Sequence, residues 1–302
     1  VGRLAKVSEA LADLSETLTS DDEQYAHDIR MKGYRIFLKK QAEAGNAEIQ
    51  SLLGDFYRLG SYGLDQDDEA ANYWYRQSSE QGDGQAKMRL AEQLLDEDEG
   101  DVDEAINLLK ASIDAGNYGA ATILGLCFLE GEHVERDIGI GLEYLHLAAE
   151  KEDDDAQYEL GVLYHEGEHV KQDYKRAISY FELSAEKNNY RALFYIGFCY
   201  DNGQGVEQDD FKAFAYYEKA SENGSAYADY FIGKKRSRGI GCEENEFLAY
   251  ESFCRASNNN IEQAHVWLGL CYLYGSGTVR DYEVAKHHFE AAAEFNPIAE
   301  RY

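Results

Sequence analysis

Cations are scarce in this chain: 29 Lys and Arg stand against 58 Asp and Glu over 302 residues, a formal charge of −29. A field of that sign repels nucleic-acid phosphates and anionic membranes, which argues against nucleic-acid binding and favours fast association with basic proteins. Proline occurs once, at Pro297, so little interrupts helical structure. The five cysteines form no C-x-x-C pair, and no apolar run reaches transmembrane length, so direct membrane insertion is not expected. The N-terminus carries no signal-peptide pattern; because it begins with Val1 and not Met, the sequence leaves open whether upstream residues, with or without a targeting segment, have been removed.

What is abundant is self-similarity. Residues following Leu or Ile at Gly125, Gly161, Gly197, Gly233 and Gly269 are each 36 apart, with Gly54 and Ala91 in the same slot earlier. A second glycine follows six residues on at Gly60, Gly131, Gly167, Gly203, Gly239 and Gly275, with Glu97 as the exception. A third landmark is an alanine at Ala70, Ala105, Ala177, Ala213, Ala249 and Ala285, replaced once by Gly141. These frames give seven copies, and a period of this size marks a solenoid in which each unit buries its apolar face on its neighbours.

One copy shows how the unit folds. Ala192, Ile196 and Tyr200 fall four apart and predict a first helix, which Gly203-Gln204-Gly205 ends. A second helix is expected over 212–223, with Ala213, Tyr216, Tyr217 and Ala220 facing inward and Gly224 just past its end. Each copy is therefore a helical hairpin.

The stretches "AQYELGVLYHEGEHVKQDYKRAISYFELSAEKN" and "ALFYIGFCYDNGQGVEQDDFKAFAYYEKASENG" closely resemble the Sel-1-like repeat family, relatives of the tetratricopeptide repeats. The resemblance implies an all-α, right-handed α/α superhelix of about seven helical hairpins over residues 44–296, acting as a non-enzymatic adaptor for a protein or peptide. Residues 1–43 are expected to form a helical cap and 297–302 the start of a truncated helix. Within the cap, Leu4, Val7, Leu11, Leu14 and Leu18 make one apolar stripe, terminated by Ser20-Asp21-Asp22, which either covers the first repeat or dimerises. Cysteine-rich secreted members of the family carry a cysteine pair in each repeat, and this chain does not. Cys127, Cys199 and Cys271 share one slot in alternate copies and read as small buried hydrophobes, while Cys242 and Cys254 fall in one copy and are close enough in sequence to meet. The compartment stays open between cytoplasm and bacterial periplasm.

Several patterns imitate chemistry. His165-Glu166-Gly167-Glu168-His169 fits the H-E-x-x-H of zinc hydrolases, which requires both histidines on one face of an unbroken helix. Gly167 falls where the first helix should end, and the copy 36 residues earlier has Leu129 in place of the first histidine. A zinc-dependent hydrolase at His165, Glu166 and His169 is therefore the competing reading, and no catalytic, metal or cofactor site is expected. Ser184-Ala185-Glu186-Lys187 fits S-x-x-K, but lacks the companion S-D-N and K-T-G elements, and its serine reads as a small-residue packing slot level with Ser221 and Ala292. The run "DEDEGDVDE" at 96–104 misplaces the glycine of a calcium loop and reads as a solvated turn. His287 and His288 read as surface or boundary residues.

In tetratricopeptide-like stacks the first helices line the concave surface, which singles out positions two, six and nine after each copy's leading alanine. They are Thr122, Leu126 and Leu129; Tyr158, Val162 and His165; Phe194, Phe198 and Asp201; Tyr230, Lys234 and Ser237; Val266, Leu270 and Leu273. This stripe is too apolar for an idle solvated face, and clustered aromatics commonly anchor binding; curvature that buries them between neighbouring first helices is the alternative. Lys234, Lys235, Arg236 and Arg238 place four cations in the sixth copy, either as a counter-site for an acidic segment or, as favoured here, paired internally with Glu243, Glu244 or neighbouring acidic turns. The expected partner surface is Leu126, Tyr158, Val162, His165, Phe194, Phe198, Asp201, Tyr230, Lys234, Arg238 and Leu270. A basic partner is favoured, as an adaptor's client or as a toxin that an immunity protein neutralises.

Overall fold

A computed structural model describes residues 20–96 and 100–293, with side chains from residue 31 onward. The apolar stripe of residues 4–18 and the segment 297–302 lie outside the described residues, as does any dimer through them. The described residues are all-α: α1 (Ser20–Glu43), α2 (Ala47–Leu59), α3 (Asp68–Glu80), α4 (Gly84–Asp96), α5 (Val102–Asp114), α6 (Gly119–Glu130), α7 (Ile138–Glu150), α8 (Asp154–Glu166), α9 (Tyr174–Ala185), α10 (Tyr190–Asn202), α11 (Asp210–Glu222), α12 (Ala226–Arg236), α13 (Glu246–Asn258), α14 (Gln263–Tyr274) and α15 (Tyr282–Ala293). They are those of an α-solenoid, in two compact units at residues 1–136 and 137–302, and within each unit the helices pack in sequence order. In the first unit α1 packs on α2, and the hairpins α2–α3 and α4–α5 are followed by α6. In the second, α7 packs on α8, the hairpins α8–α9, α10–α11, α12–α13 and α14–α15 follow, and α8 also touches α10 directly.

The same local chemistry starts and stops each hairpin. Asp67, Asp101, Asp137, Asp173, Asp209 and Asn245 precede the second helices, and each side chain accepts a backbone N–H from the first turn. That satisfies donors the helix leaves unpaired. Five first helices, α2, α6, α8, α10 and α14, end at a glycine in the left-handed region, Gly167 at φ 77° for example, a conformation that disfavours any residue with a Cβ, while α12 ends at Ser237 in the right-handed region.

The glycine slot of the period is a packing device. An added Cβ at Gly197 would sit 2.9 Å from the Tyr217 ring, and Gly54, Gly161, Gly233 and Gly269 lie closer still to Tyr75, Phe181, Phe253 and Phe289. In these five copies the second helix packs an aromatic ring against the bare backbone of its own first helix, whereas the copy with Gly125 carries Leu145 in the ring's place. The copy carrying Ala91 in this slot carries the smaller Leu109 where the ring would be, and Leu109 is fully buried. The next copy continues the stack: Tyr195 lies 5.0 Å from Phe181, Phe231 5.1 Å from Tyr217 and Trp267 5.3 Å from Phe253 between ring centroids. Glycine, ring and following ring make a ladder that ties one hairpin to the next.

Two landmarks shift by one residue. In the first copy the inter-helix loop is a residue longer, so the buried alanine is Ala71 and Ala70 is only half-buried. The equivalent of Ser184 is Ala220, fully buried, whereas Ser221 donates to Asp229 at 2.9 Å. The Ser184 hydroxyl donates to the carbonyl of Asp154 at 2.7 Å, as Ser78 does to Ala47 at 2.8 Å and Ser112 to Gly84 at 2.6 Å. This serine closes its own hairpin at the start of the first helix, and Lys187 donates to the Glu152 carbonyl. All five cysteines are free thiols. Burial pushes Cys199 up to about 12 and Cys271 up to about 11, which leaves both unreactive at neutral pH.

Candidate functional site

In the second unit the first helices α8, α10, α12 and α14 carry the expected stripe, and the structure joins much of it into one aromatic strip. Arg191 lies over the Tyr158 ring at 4.4 Å, and Tyr158 meets Tyr195 at 5.8 Å. His165 stands edge-on to Tyr195 at 5.5 Å and Phe198 at 6.0 Å, and its Nε2 hydrogen-bonds Gln204 Oε1 at 2.9 Å. Phe194 meets Phe198 at 6.3 Å and Phe231 at 5.4 Å. Lys234 then lies over Phe231 at 5.1 Å and Tyr230 at 5.2 Å, and burial lowers its pKa. Arg238, just beyond α12, lies over Trp267 at 5.3 Å. Tyr158, Val162, His165, Phe194, Phe198, Tyr230, Lys234 and Leu270 are half-buried, and Arg238 is exposed. The strip is thus partly covered by contacts from first helix to first helix and partly open to solvent.

Asp201 is engaged internally, accepting Lys235 Nζ at 2.6 Å and the Tyr217 hydroxyl at 3.3 Å. Lys235 is buried, and Asp210 is its second acceptor at 3.0 Å. Arg236 pairs with Glu218 at 3.0 Å. Two of the sixth copy's cations therefore do pair internally, but with acids of the preceding copy; Glu243 and Glu244 are exposed.

In the first unit, Leu126 lines a cavity of about 670 Å³ between the first helices α2, α4 and α6. Thr122 and Leu129, from the same stripe, are buried. This cavity escapes the sequence pattern because its polar residues, Arg58, Arg89 and Gln93, share no repeated slot. Tyr195, Phe231 and Trp267 also fall outside the chosen stripe, although they recur 36 apart, three after each leading alanine.

The zinc pattern does not assemble. α8 stops at Glu166 with Gly167 as its cap, so His169 lies in the turn and not one helical turn beyond His165. Among the described residues, no group of three or more His, Cys, Asp or Glu is placed to hold a metal ion. A different histidine group does come together: His265 Nδ1 and His288 Nδ1 are 2.9 Å apart, with His288 stacked on Tyr272 at 5.6 Å. Burial, then the neighbouring His265 and His287, depress His288 to about 4.

The profile of the Sel1 repeat matches residues 47–83, 119–153, 154–189, 191–225 and 262–294. The two copies it passes over, α4–α5 and α12–α13, fold as the same hairpin. No curated protein is matched by the sequence. Among solved structures, a protective antigen of uropathogenic Escherichia coli displaying an SLR fold is 27% identical with a TM-score of 0.67, over 85% of this chain and 55% of that one. The chain thus spans little more than half of that relative's length. A Sel1 repeat protein from Oxalobacter formigenes is 22% identical with a TM-score of 0.67, over 98% and 83%. An immunity protein from Pseudomonas aeruginosa is 20% identical with a TM-score of 0.53, over 73% and 82%. Among the described residues no helix is long and apolar enough to cross a membrane.

Proposed function

The chain belongs to the Sel1 repeat family, and from that premise we propose that it is a non-enzymatic scaffold whose first helices hold a basic protein or peptide. The observation that supports this reading most is the strip from Tyr158 through Phe198 to Lys234. It is aromatic, continuous across three copies of the second unit, and half-open to solvent. Half-exposed aromatic side chains held rigid by their neighbours supply contact area at small entropic cost. The charge of −29 adds long-range attraction for a basic partner, which acts on association rate and partner choice.

The test is capture from a lysate of the source organism by wild type and Phe198→Ser, at about 50 mM and about 500 mM salt, where screening lengths differ roughly threefold. The reading predicts a basic protein held by wild type most strongly at low salt and lost with Phe198→Ser, provided the variant retains its helical signal. Equal retention by both proteins rejects the strip as the binding surface. The identity of the captured protein separates an adaptor from an immunity protein directed at a basic toxin.

A further inference from the structure

The cavity of the first unit has a composition suited to one kind of side chain. Five carboxylates line it, those of Asp68, Glu92, Asp96, Glu130 and Glu132, against the two guanidiniums of Arg58 and Arg89. Glu92 is engaged by Arg89 at 2.8 Å, and none of the other four carboxylates forms an ion pair with a described residue. Within this rim lies Gln93, 9% exposed, whose Oε1 has no hydrogen-bond partner. Arg58 Nε is likewise buried and without a hydrogen-bond partner, while Arg89 Nε lies 3.8 Å from Asp55 Oδ1 in an ion pair. Unsatisfied buried polar atoms are rare, because each forfeits its bonds to water, and two beside one cavity, Gln93 Oε1 and Arg58 Nε, suit a ligand that brings both a donor and an acceptor.

We propose that this cavity receives a lysine or arginine side chain from an extended segment of the partner, its cationic head donating to Gln93 Oε1 and the carboxylate rim. The segment's backbone carbonyl accepts from the Arg58 Nε–H. With a turn of the Gln93 amide toward the cavity, a cation satisfies its unpaired oxygen and neutralises the surplus of negative charge, neither of which an apolar or acidic side chain does. This site rests on the reading of the chain as a scaffold for a basic partner and assigns the first unit its own part in recognition.

The test is binding of a fluorescent, end-blocked hexalysine peptide to the full chain, measured by anisotropy at low salt beside the same peptide with every lysine acetylated. Gln93→Leu removes the acceptor without changing net charge. Glu130→Gln/Glu132→Gln removes two rim charges, and Glu182→Gln/Glu186→Gln removes two exposed charges of the second unit. The site predicts that the first two variants weaken hexalysine binding about tenfold, the scale of one charge-assisted hydrogen bond, while the third changes it less than about twofold. The acetylated peptide should bind none of the proteins. Equal losses in both charge variants would mean delocalised attraction and overturn the site, as would a correctly folded Gln93→Leu chain that binds like wild type. Should Gln93→Leu lose its helical signal, the comparison of the two charge variants decides. Failure here together with salt-sensitive, Phe198-dependent capture of a basic protein would remove this cavity's role and leave the broader scaffold reading standing.

Discussion

At the scale of the residue, the ladder of Gly197, Tyr217 and Phe231 explains why glycine recurs in mid-helix, where it is otherwise unfavourable. Gly197→Ala should lower stability by about 1–3 kcal/mol, the usual cost of overpacking, read as a lower urea midpoint. Adding Tyr217→Leu should recover much of that loss, because the second copy already uses the pair Ala91 and Leu109 in these slots. A double variant no more stable than Gly197→Ala would contradict this account. The histidine pair makes a second prediction. His288 is held neutral in the fold, near 4, by burial and by His265 and His287, whereas the unfolded chain protonates near 6.5. Where the folded pKa is the lower one, the unfolded state takes up more protons, so stability is full above about 6.5 and falls as pH drops toward 4. The facing groups include Glu262, which opposes the shift at His265. His288→Asn should therefore flatten the loss of thermal midpoint between pH 7 and pH 5 relative to wild type; identical slopes would exclude the pair as its source.

At the scale of the element, every second helix in the second unit up to α13 begins at a carboxylate or amide that accepts from its own first turn. Asp209→Ala should cost about 1 kcal/mol, measured as a fall in the urea midpoint. Lys235 ties α12 to the preceding hairpin through Asp201 and Asp210. Lys235→Ala, which leaves both carboxylates uncompensated, should cost more than the lost cap, roughly 3 kcal/mol. Hairpins were legible in the sequence because helix ends, glycine slots and inward-facing apolar positions are local and repeat with the period. Gly167 marked the helix end that separates His165 from His169, and the structure places the cap of α8 there. The partners of Lys235 were not legible, since Asp201 and Asp210 lie 34 and 25 residues away and only the stacking of one hairpin on the next brings them together. The one-residue slip at Ala70 has a similar origin: a longer loop moves the buried position to Ala71 without disturbing the spacing of the glycines.

At the scale of the whole molecule, the proposed recognition rests on two features: an acidic charge distributed along the chain, and first helices of the second unit with half-buried aromatic residues. The stripe chosen from the sequence includes Tyr158, Phe194 and Phe198, which the structure leaves half-buried, because such positions recur at fixed offsets. It missed Phe231 and Trp267, one position further round the helix, because periodicity alone does not say which of two adjacent apolar positions stacks on the previous hairpin. It also missed Gln93, whose significance comes from an unpaired oxygen beside a cavity. The most direct test of the central claim is hydrogen exchange of the full chain with and without its captured partner. The account predicts slowed exchange concentrated in α8, α10 and α12, with α9, α11 and α13 little changed; added slowing in α2, α4 and α6 is expected where the partner also fills the cavity of the first unit. Protection confined to the second helices would contradict it.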